Sequence, residues 1–163
     1  MTVKIFITGG TIDGLEYDSE EKAPKKFNSI IPKILKEARI KTDFGAKILI
    51  FKDSKFVTGK DRETILKKCR GCKEDKIIIT HGTMTMPLTA KFLEKFKINK
   101  TIVLTGSAIP ARGKNSDAKF NLGFAMAAVQ TLPAGVYVAM NGNIFSSTNV
   151  KKNLKTGFFE KEK

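Results

Sequence analysis

Hydroxyl side chains recur in three short, glycine-bearing stretches: Thr8-Gly9-Gly10-Thr11, Thr80-His81-Gly82-Thr83 and Thr105-Gly106-Ser107. Each directly follows an apolar run that reads as a strand: Val3–Ile7, Ile77–Ile79 and Thr101–Leu104. One such stretch is ordinarily just a turn, because threonine and serine bond nearby backbone. Three at equivalent strand ends point to a shared pocket. Hydroxyls beside closely approaching backbone N–H groups suit attack on a carbonyl carbon, with the oxyanion held by N–H donors. A hydroxyl needs a base to take its proton. The chain has one histidine, His81, and a lone turn histidine is more often a structural hydrogen-bonding group. A lysine whose pKa is lowered by burial is the other choice of base. The residues alone therefore lead to a hydroxyl-lined site with hydrolase character.

Other chemistries are poorly supported. Cys69 and Cys72 form a C-x-x-C pair, but they follow a predicted helix with Gly71 as its C-cap. The helix dipole has the wrong sign there to stabilise a thiolate. A zinc site needs about four ligands, and His81 is the only nitrogen donor of that kind, so the pair is read as structural. The first turn is neither G-x-G-x-x-G nor a phosphate-binding loop with a Lys-Ser/Thr pair. The formal charge is +14, with 30 basic residues. These are lysines spread over every segment, and the only arginines are Arg39, Arg62, Arg70 and Arg112. A nucleic-acid surface would cluster its cations and favour arginine, so nucleic acid is the last-ranked partner.

The elements that must position these turns follow from patterning. Ile77, Ile78 and Ile79 read as a strand buried on both faces, as in a parallel sheet covered by helices. Helices are expected from Ser29, as cap, to about Arg39; from Arg62 to Lys68 behind a Thr58/Asp61 capping box; from Pro87 to Phe96; and from about Ala118 to Leu132, with Ser116 as cap and Pro133 as stop. Further strands are expected at Lys47–Phe51 and Gly135–Met140, the latter turning at Asn141-Gly142 into Ile144-Phe145. Leu15 to Asn28 reads as a mobile loop, and the charged C-terminal tail is expected to fray. Strands alternate with helices, so the class is α/β with a mainly parallel sheet between two helix layers. The length of 163 residues fits one domain. No apolar run nears the ~20 residues of a membrane span, and Met1-Thr2-Val3 runs straight into a strand without a signal pattern, which gives the expectation of a cytoplasmic protein.

Taken together, these turns resemble the N-terminal domain of bacterial-type L-asparaginases. Thr8-Gly-Gly-Thr-Ile12 is similar to the family's first signature and Thr80-His-Gly-Thr-Met-Thr-Met86 to its second, normally T-H-G-T-D-T-M. Thr101–Gly106 through Ser116-Asp117 and Phe120-Asn121-Leu122 resembles the block that follows. Lys52-Asp53-Ser54 is similar to the substrate-carboxylate turn, and Asn149-Val150-Lys151-Lys152 to the segment of the catalytic lysine. The resemblance implies a three-layer, doubly wound, flavodoxin- or Rossmann-like fold of the asparaginase N-terminal-domain type. It implies a single such domain over residues 1–163, without the family's C-terminal domain, and a homodimer as the assembly.

It further implies hydrolysis of the side-chain amide of asparagine or a related small amide, without metal or cofactor. Thr11 would be the first nucleophile. Thr83 would position or activate water, with Lys152 as its proton partner. Ser54, beside Asp53, would hold the substrate carboxylate, and backbone at Gly10 and Gly82 would approach the substrate, with an N–H near Thr83 polarising its carbonyl. The family's flexible-loop tyrosine has only Tyr17 as a possible counterpart. Met84 stands where the family has an aspartate that anchors the substrate ammonium. Losing that charge-assisted bond costs ~1.5–3 kcal/mol and removes a counter-ion from Lys152. The alternatives are therefore a catalytically impaired small-ligand-binding domain and, third, a basic nucleic-acid-associated protein.

Overall fold

The computed structural model describes residues 1–162. Five strands lie parallel in the order β2 (Asp43–Lys52), β1 (Thr2–Gly9), β3 (Lys76–Thr80), β4 (Thr101–Thr105) and β5 (Gly135–Met140). A sixth, β6 (Asn143–Ser146), pairs antiparallel with β5. Asn141 and Gly142 have φ of 55° and 72°, so the Asn-Gly pair makes the tight hairpin turn its sequence predicts. The strand order reverses direction between β1 and β3. Open α/β sheets bind ligands at such a switch point, in the crevice beyond the strands' carboxyl ends. The expected α/β class with a mainly parallel sheet is what forms.

Helices cover both faces. On one, α2 (Gly59–Gly71) and α3 (Met86–Glu94) bury Ile65, Cys69, Met86 and Leu93 against Ile77, Ile79, Ile102 and Leu104. On the other, α1 (Ile31–Glu37) and α4 (Ala118–Thr131) bury Ile31, Leu35, Leu122 and Val129 against Val3, Ile5, Ile78 and Val103. Ile77, Ile78 and Ile79 are fully buried and alternate between the two cores, which is why all three must be apolar. Each such burial contributes about 1.5–3 kcal/mol.

The helix starts vary in how directly the sequence marks them. Thr58 and Asp61 form a complete capping box at α2. Ser29 lies one residue outside the N-cap of α1, which is Ile30. It still accepts the Ile31 N–H at 3.1 Å, while Asp13 accepts from the Ser29 hydroxyl at 2.8 Å and the Ile30 N–H at 3.0 Å. Ser116 similarly accepts the Ala118 N–H, and Asp117 occupies the N-cap of α4.

One expectation is refined and one corrected. The stretch from Leu15 is a loop as expected, but Leu15 and Tyr17 in it are buried, and a 3₁₀ turn spans Glu20–Lys22. The described part of the tail does not fray. It forms the hairpin β7 (Lys151–Lys152) and β8 (Phe159–Glu160), anchored by buried Val150 and Phe159 in the α2/α3 core. Asn141 accepts the Phe159 N–H at 3.0 Å, and Glu162 pairs with Lys91. The tail's apolar residues outweigh its charges.

Cys69 is fully buried on α2, where burial pushes its thiol up to about 12, and Cys72 caps that helix with Sγ near the Cys69 and Glu74 carbonyls. Such a thiol is inert core packing. No helix among the described residues is long and apolar enough to cross a membrane.

Candidate functional site

The turn after β1 and the turn after β3 meet because glycine leaves room. A Cβ on Gly10 would lie 2.4 Å from the Gly82 Cα, and one on Gly82 would lie 2.6 Å from the Ser54 Cβ. Gly106 is equally constrained, with the His81 carbonyl oxygen 2.3 Å from where its Cβ would be. The ends of β1, β2, β3 and β4 are thus packed backbone to backbone. Gly10 also has φ of 86°, which disfavours any other residue. Gly10→Ala is expected to cost roughly 2–4 kcal/mol, since the obstacle is backbone that cannot rotate away. Chemical denaturation would show this as a lowered midpoint.

These turns surround a cavity of about 690 Å³ that opens to solvent. Thr11, Ser54, Gly82, Thr83, Met84 and Lys152 all line it. Asp53 and Tyr17 do so as well, from the neighbouring β2 end and the stretch after β1. Gly10 is not on the wall; it is the spacer behind it. Sequence reasoning missed Glu16, Asp18, Lys22, Lys55, Ala108 and Gly157, which complete the lining. The first three belong to the stretch read as a mobile loop, which left them no position.

The hydroxyls divide into two groups. Thr8 donates to the Thr80 carbonyl at 2.8 Å, Thr105 to the Ala139 carbonyl at 2.9 Å, and Ser107 to the Ile109 carbonyl. The two threonines tie strand ends together, Ser107 closes a local turn, and all three are buried and absent from the wall of this cavity. Thr83, by contrast, accepts a bond of 2.8 Å from the Lys152 Nζ. The Thr11 hydroxyl has no protein partner among the described residues, and it lines the cavity. Asparagine-type clamping holds the turn after β4: Asn121 donates to the Gly106 carbonyl, and Asp117 accepts from Ala108, Ile109 and Asn121.

Lys152 is half-buried, and no carboxylate lies within ion-pair distance of it among the described residues. Its other close polar neighbour is the Met84 thioether, 3.7 Å away. Burial without a counter-ion pulls its pKa down and favours the free amine. β7 holds it there: Lys152 pairs in register with Phe159, whose side chain is core. Tyr17 stacks on Phe56 at 5.5 Å, and its hydroxyl accepts the Asp53 N–H at 2.7 Å. Burial raises the pKa of that phenol. The Asp53 carboxylate in turn accepts the Lys55 N–H and caps the Ser54–Phe56 turn.

His81 lies outside the reacting group. It is completely buried, and burial lowers its pKa to about 4, so it is neutral at physiological pH. Its Nδ1–H donates to the Gly82 carbonyl at 2.8 Å, which leaves Nε2 to accept from the Thr89 hydroxyl at 3.0 Å. Arg62 donates to the same hydroxyl at 3.1 Å. This chain fixes the peptide between Gly82 and Thr83, and with it the N–H of Thr83. The structural reading of the histidine is the one the geometry supports. Unfolded, the imidazole has a pKa of about 6.5. Between there and about 4 the unfolded chain takes up a proton that the folded chain refuses. Stability is therefore expected to fall by on the order of 3 kcal/mol as the pH drops through that window. Urea unfolding at neutral and acid pH checks this, and the histidine's share should vanish in His81→Asn.

A family model described as "Asparaginase, N-terminal" matches residues 2–159. The L-asparaginase of Thermococcus kodakarensis is 34% identical over 160 residues, covering 93% of this chain and 48% of that protein. A probable periplasmic L-asparaginase of Haemophilus influenzae is 32% identical over 165 residues, covering 94% and 47%. The solved structure of the thermostable T. kodakarensis L-asparaginase superposes with a TM-score of 0.78 at 29% identity, covering 99% of this chain and 51% of that one. The chain thus spans about half the length of the curated relatives it matches. With the family model matching nearly the whole of it, the chain belongs to the asparaginase N-terminal family.

Proposed function

We propose that this chain hydrolyses a small primary carboxamide, of the asparagine side-chain type, by attack of Thr11. The observation that carries the reading is the 2.8 Å bond between Lys152 and Thr83 on the wall of the cavity that Thr11 also lines. The Thr11 oxygen adds to the amide carbon, and the C–N bond breaks. The nitrogen leaves as ammonia, having gained the proton that Thr11 gave up. Thr83 and the free amine of Lys152 then activate water to split the Thr11 ester, which releases the acid and restores the hydroxyl. The Thr83 N–H, held by the His81 clamp, is placed to stabilise the oxyanion. Ser54 supplies a hydroxyl for the substrate carboxylate, and Tyr17 braces the turn that carries it. In this reading no metal or cofactor takes part.

The domain reading is part of the proposal: residues 1–163 act as one asparaginase N-terminal-like unit, and two copies associate. Phe120, exposed beside Gly142, and Phe158, exposed next to the core residue Phe159, support this as large apolar side chains at the surface.

The test is ammonia release by the purified protein from asparagine, glutamine and a panel of monoamides. Release from at least one supports the reading, and inertness towards all of them overturns it. Met84 favours a second reading, a binding domain without turnover, because it leaves the cavity beside Lys152 without a carboxylate. That reading predicts ligand binding with no ammonia.

A further inference from the structure

The charges around the cavity say more about the substrate than the nucleophile does. Two of its amines, Lys55 and Lys152, have no carboxylate within ion-pair distance among the described residues. The cavity's acids are placed differently. Asp18 sits 3.5 Å from Lys22, Asp53 is turned onto the Lys55 N–H, and Glu16 is exposed at the rim. The wall next to the Thr83–Lys152 pair is instead the Met84 side chain, half exposed and with its sulfur 3.7 Å from the Lys152 Nζ. The turn that carries Lys55 is bonded to the same segment, since Thr85 donates to the Ser54 carbonyl at 2.7 Å.

In asparagine only Cβ and Cα separate the α-nitrogen from the amide carbon. With that carbon at Thr11 and Thr83, the α-nitrogen falls within the immediate walls of the reacting centre. A free ammonium there would be stripped of water against a thioether, in a cavity that the Lys55 cation also lines and with no carboxylate within ion-pair distance of the neighbouring Lys152 among the described residues. Both effects disfavour a cation. A carboxylate, by contrast, gains from the Lys55 cation and from an N–H of the Lys152 amine, and an apolar or acyl group gains from contact with methionine.

Resting on the amidohydrolase reading, we infer that the substrate class of this cavity is a primary carboxamide that carries a carboxylate but no free α-ammonium. Monoamides of simple dicarboxylic acids and asparagine acylated on its α-nitrogen both belong to it. Met84 is the residue that sets the preference, acting as a wall that refuses a charge.

Calorimetric titration of the Thr11→Val protein at neutral pH, with succinamate, N-acetyl-asparagine and asparagine, tests this without turnover. Succinamate or N-acetyl-asparagine is expected to bind at least about tenfold more tightly than asparagine. Met84→Asp in the same background is expected to shift the ratio towards asparagine by roughly ten- to hundredfold. Asparagine binding as tightly as, or more tightly than, both others in the Met84 protein overturns the inference. So does the absence of binding by any of the three. If the expected order is found but the wild-type protein releases no ammonia, the amidohydrolase reading fails and the ligand class stands. If asparagine is both preferred and turned over, the ligand class alone fails.

Discussion

Replacing Thr11 with valine is expected to lower ammonia release from the best substrate on the order of 10³-fold or more, while leaving the fold intact. The two side chains are close in shape. The threonine hydroxyl has no protein partner among the described residues, so its removal leaves no buried group unpaired. The midpoint of thermal unfolding should therefore move by no more than a surface substitution would, within about 0.5 kcal/mol. This combination separates a nucleophile from a structural hydroxyl. Thr8 is the contrast, since its hydroxyl holds the Thr80 carbonyl in the interior. Thr8→Val is expected to act through stability instead, by about 1 kcal/mol, and to leave the surviving folded enzyme active. Steady-state rates and melting curves on the two variants check both halves.

The second large effect belongs to Lys152. Lys152→Met keeps the length of the side chain and removes the amine, and is expected to reduce kcat by roughly 10²–10⁴-fold and to lower KM with it, because slowed hydrolysis lets the Thr11 ester accumulate. The pH dependence gives a more specific signature. Burial without a counter-ion holds the Lys152 pKa below its ordinary value. In the proposed mechanism the free amine is the working form, so the rate is expected to rise with pH through that lowered pKa, on a limb below the ordinary lysine value of about 10.4. Lys152→Met should remove this limb. Met84→Asp should move it upward, because a carboxylate beside the amine stabilises the ammonium. Thr83→Ala combined with Lys152→Met should cost little more than either alone, since the two groups act as one unit through their shared bond.

Much of this site was legible because it depends on backbone chemistry that sequence records directly. The turn after β1 needs glycine at position 10 for both its φ and its contact with Gly82, and that need is visible as Gly9-Gly10. The three isoleucines of β3 declare a strand buried on both faces. Thr58 and Asp61 declare a helix start, and Asn141-Gly142 a hairpin. In each case a local requirement admits few residue types.

What depends on long-range packing was less legible. Thr8, Thr80 and Thr105 read the same as Thr11 and Thr83, but they sit within strands, and their hydroxyls tie neighbouring strands together or stay inside the protein. Only the direction of the backbone after each strand decides which hydroxyl meets the cavity. The tail looked loose because its charges are conspicuous, yet Val150 and Phe159 plug a core built by residues far earlier in the chain. Tyr17 and Phe56 likewise become partners only once β2 is laid beside β1. His81, the most tempting residue in the sequence, is clamped between Gly82 and Thr89 and takes no place on the cavity wall.

In the proposed chemistry the ends of β1 and β3, with the β7 lysine, form one centre that splits a carboxamide through an ester on Thr11. The most direct measurement is acid quenching of the wild-type protein during turnover of its best amide, followed by peptide mass spectrometry. An added acyl group is expected on the peptide that contains Thr11, absent from Thr11→Val and accumulating in Lys152→Met. An acyl group on Thr83 instead, or steady ammonia release with undiminished rate in Thr11→Val, would contradict it.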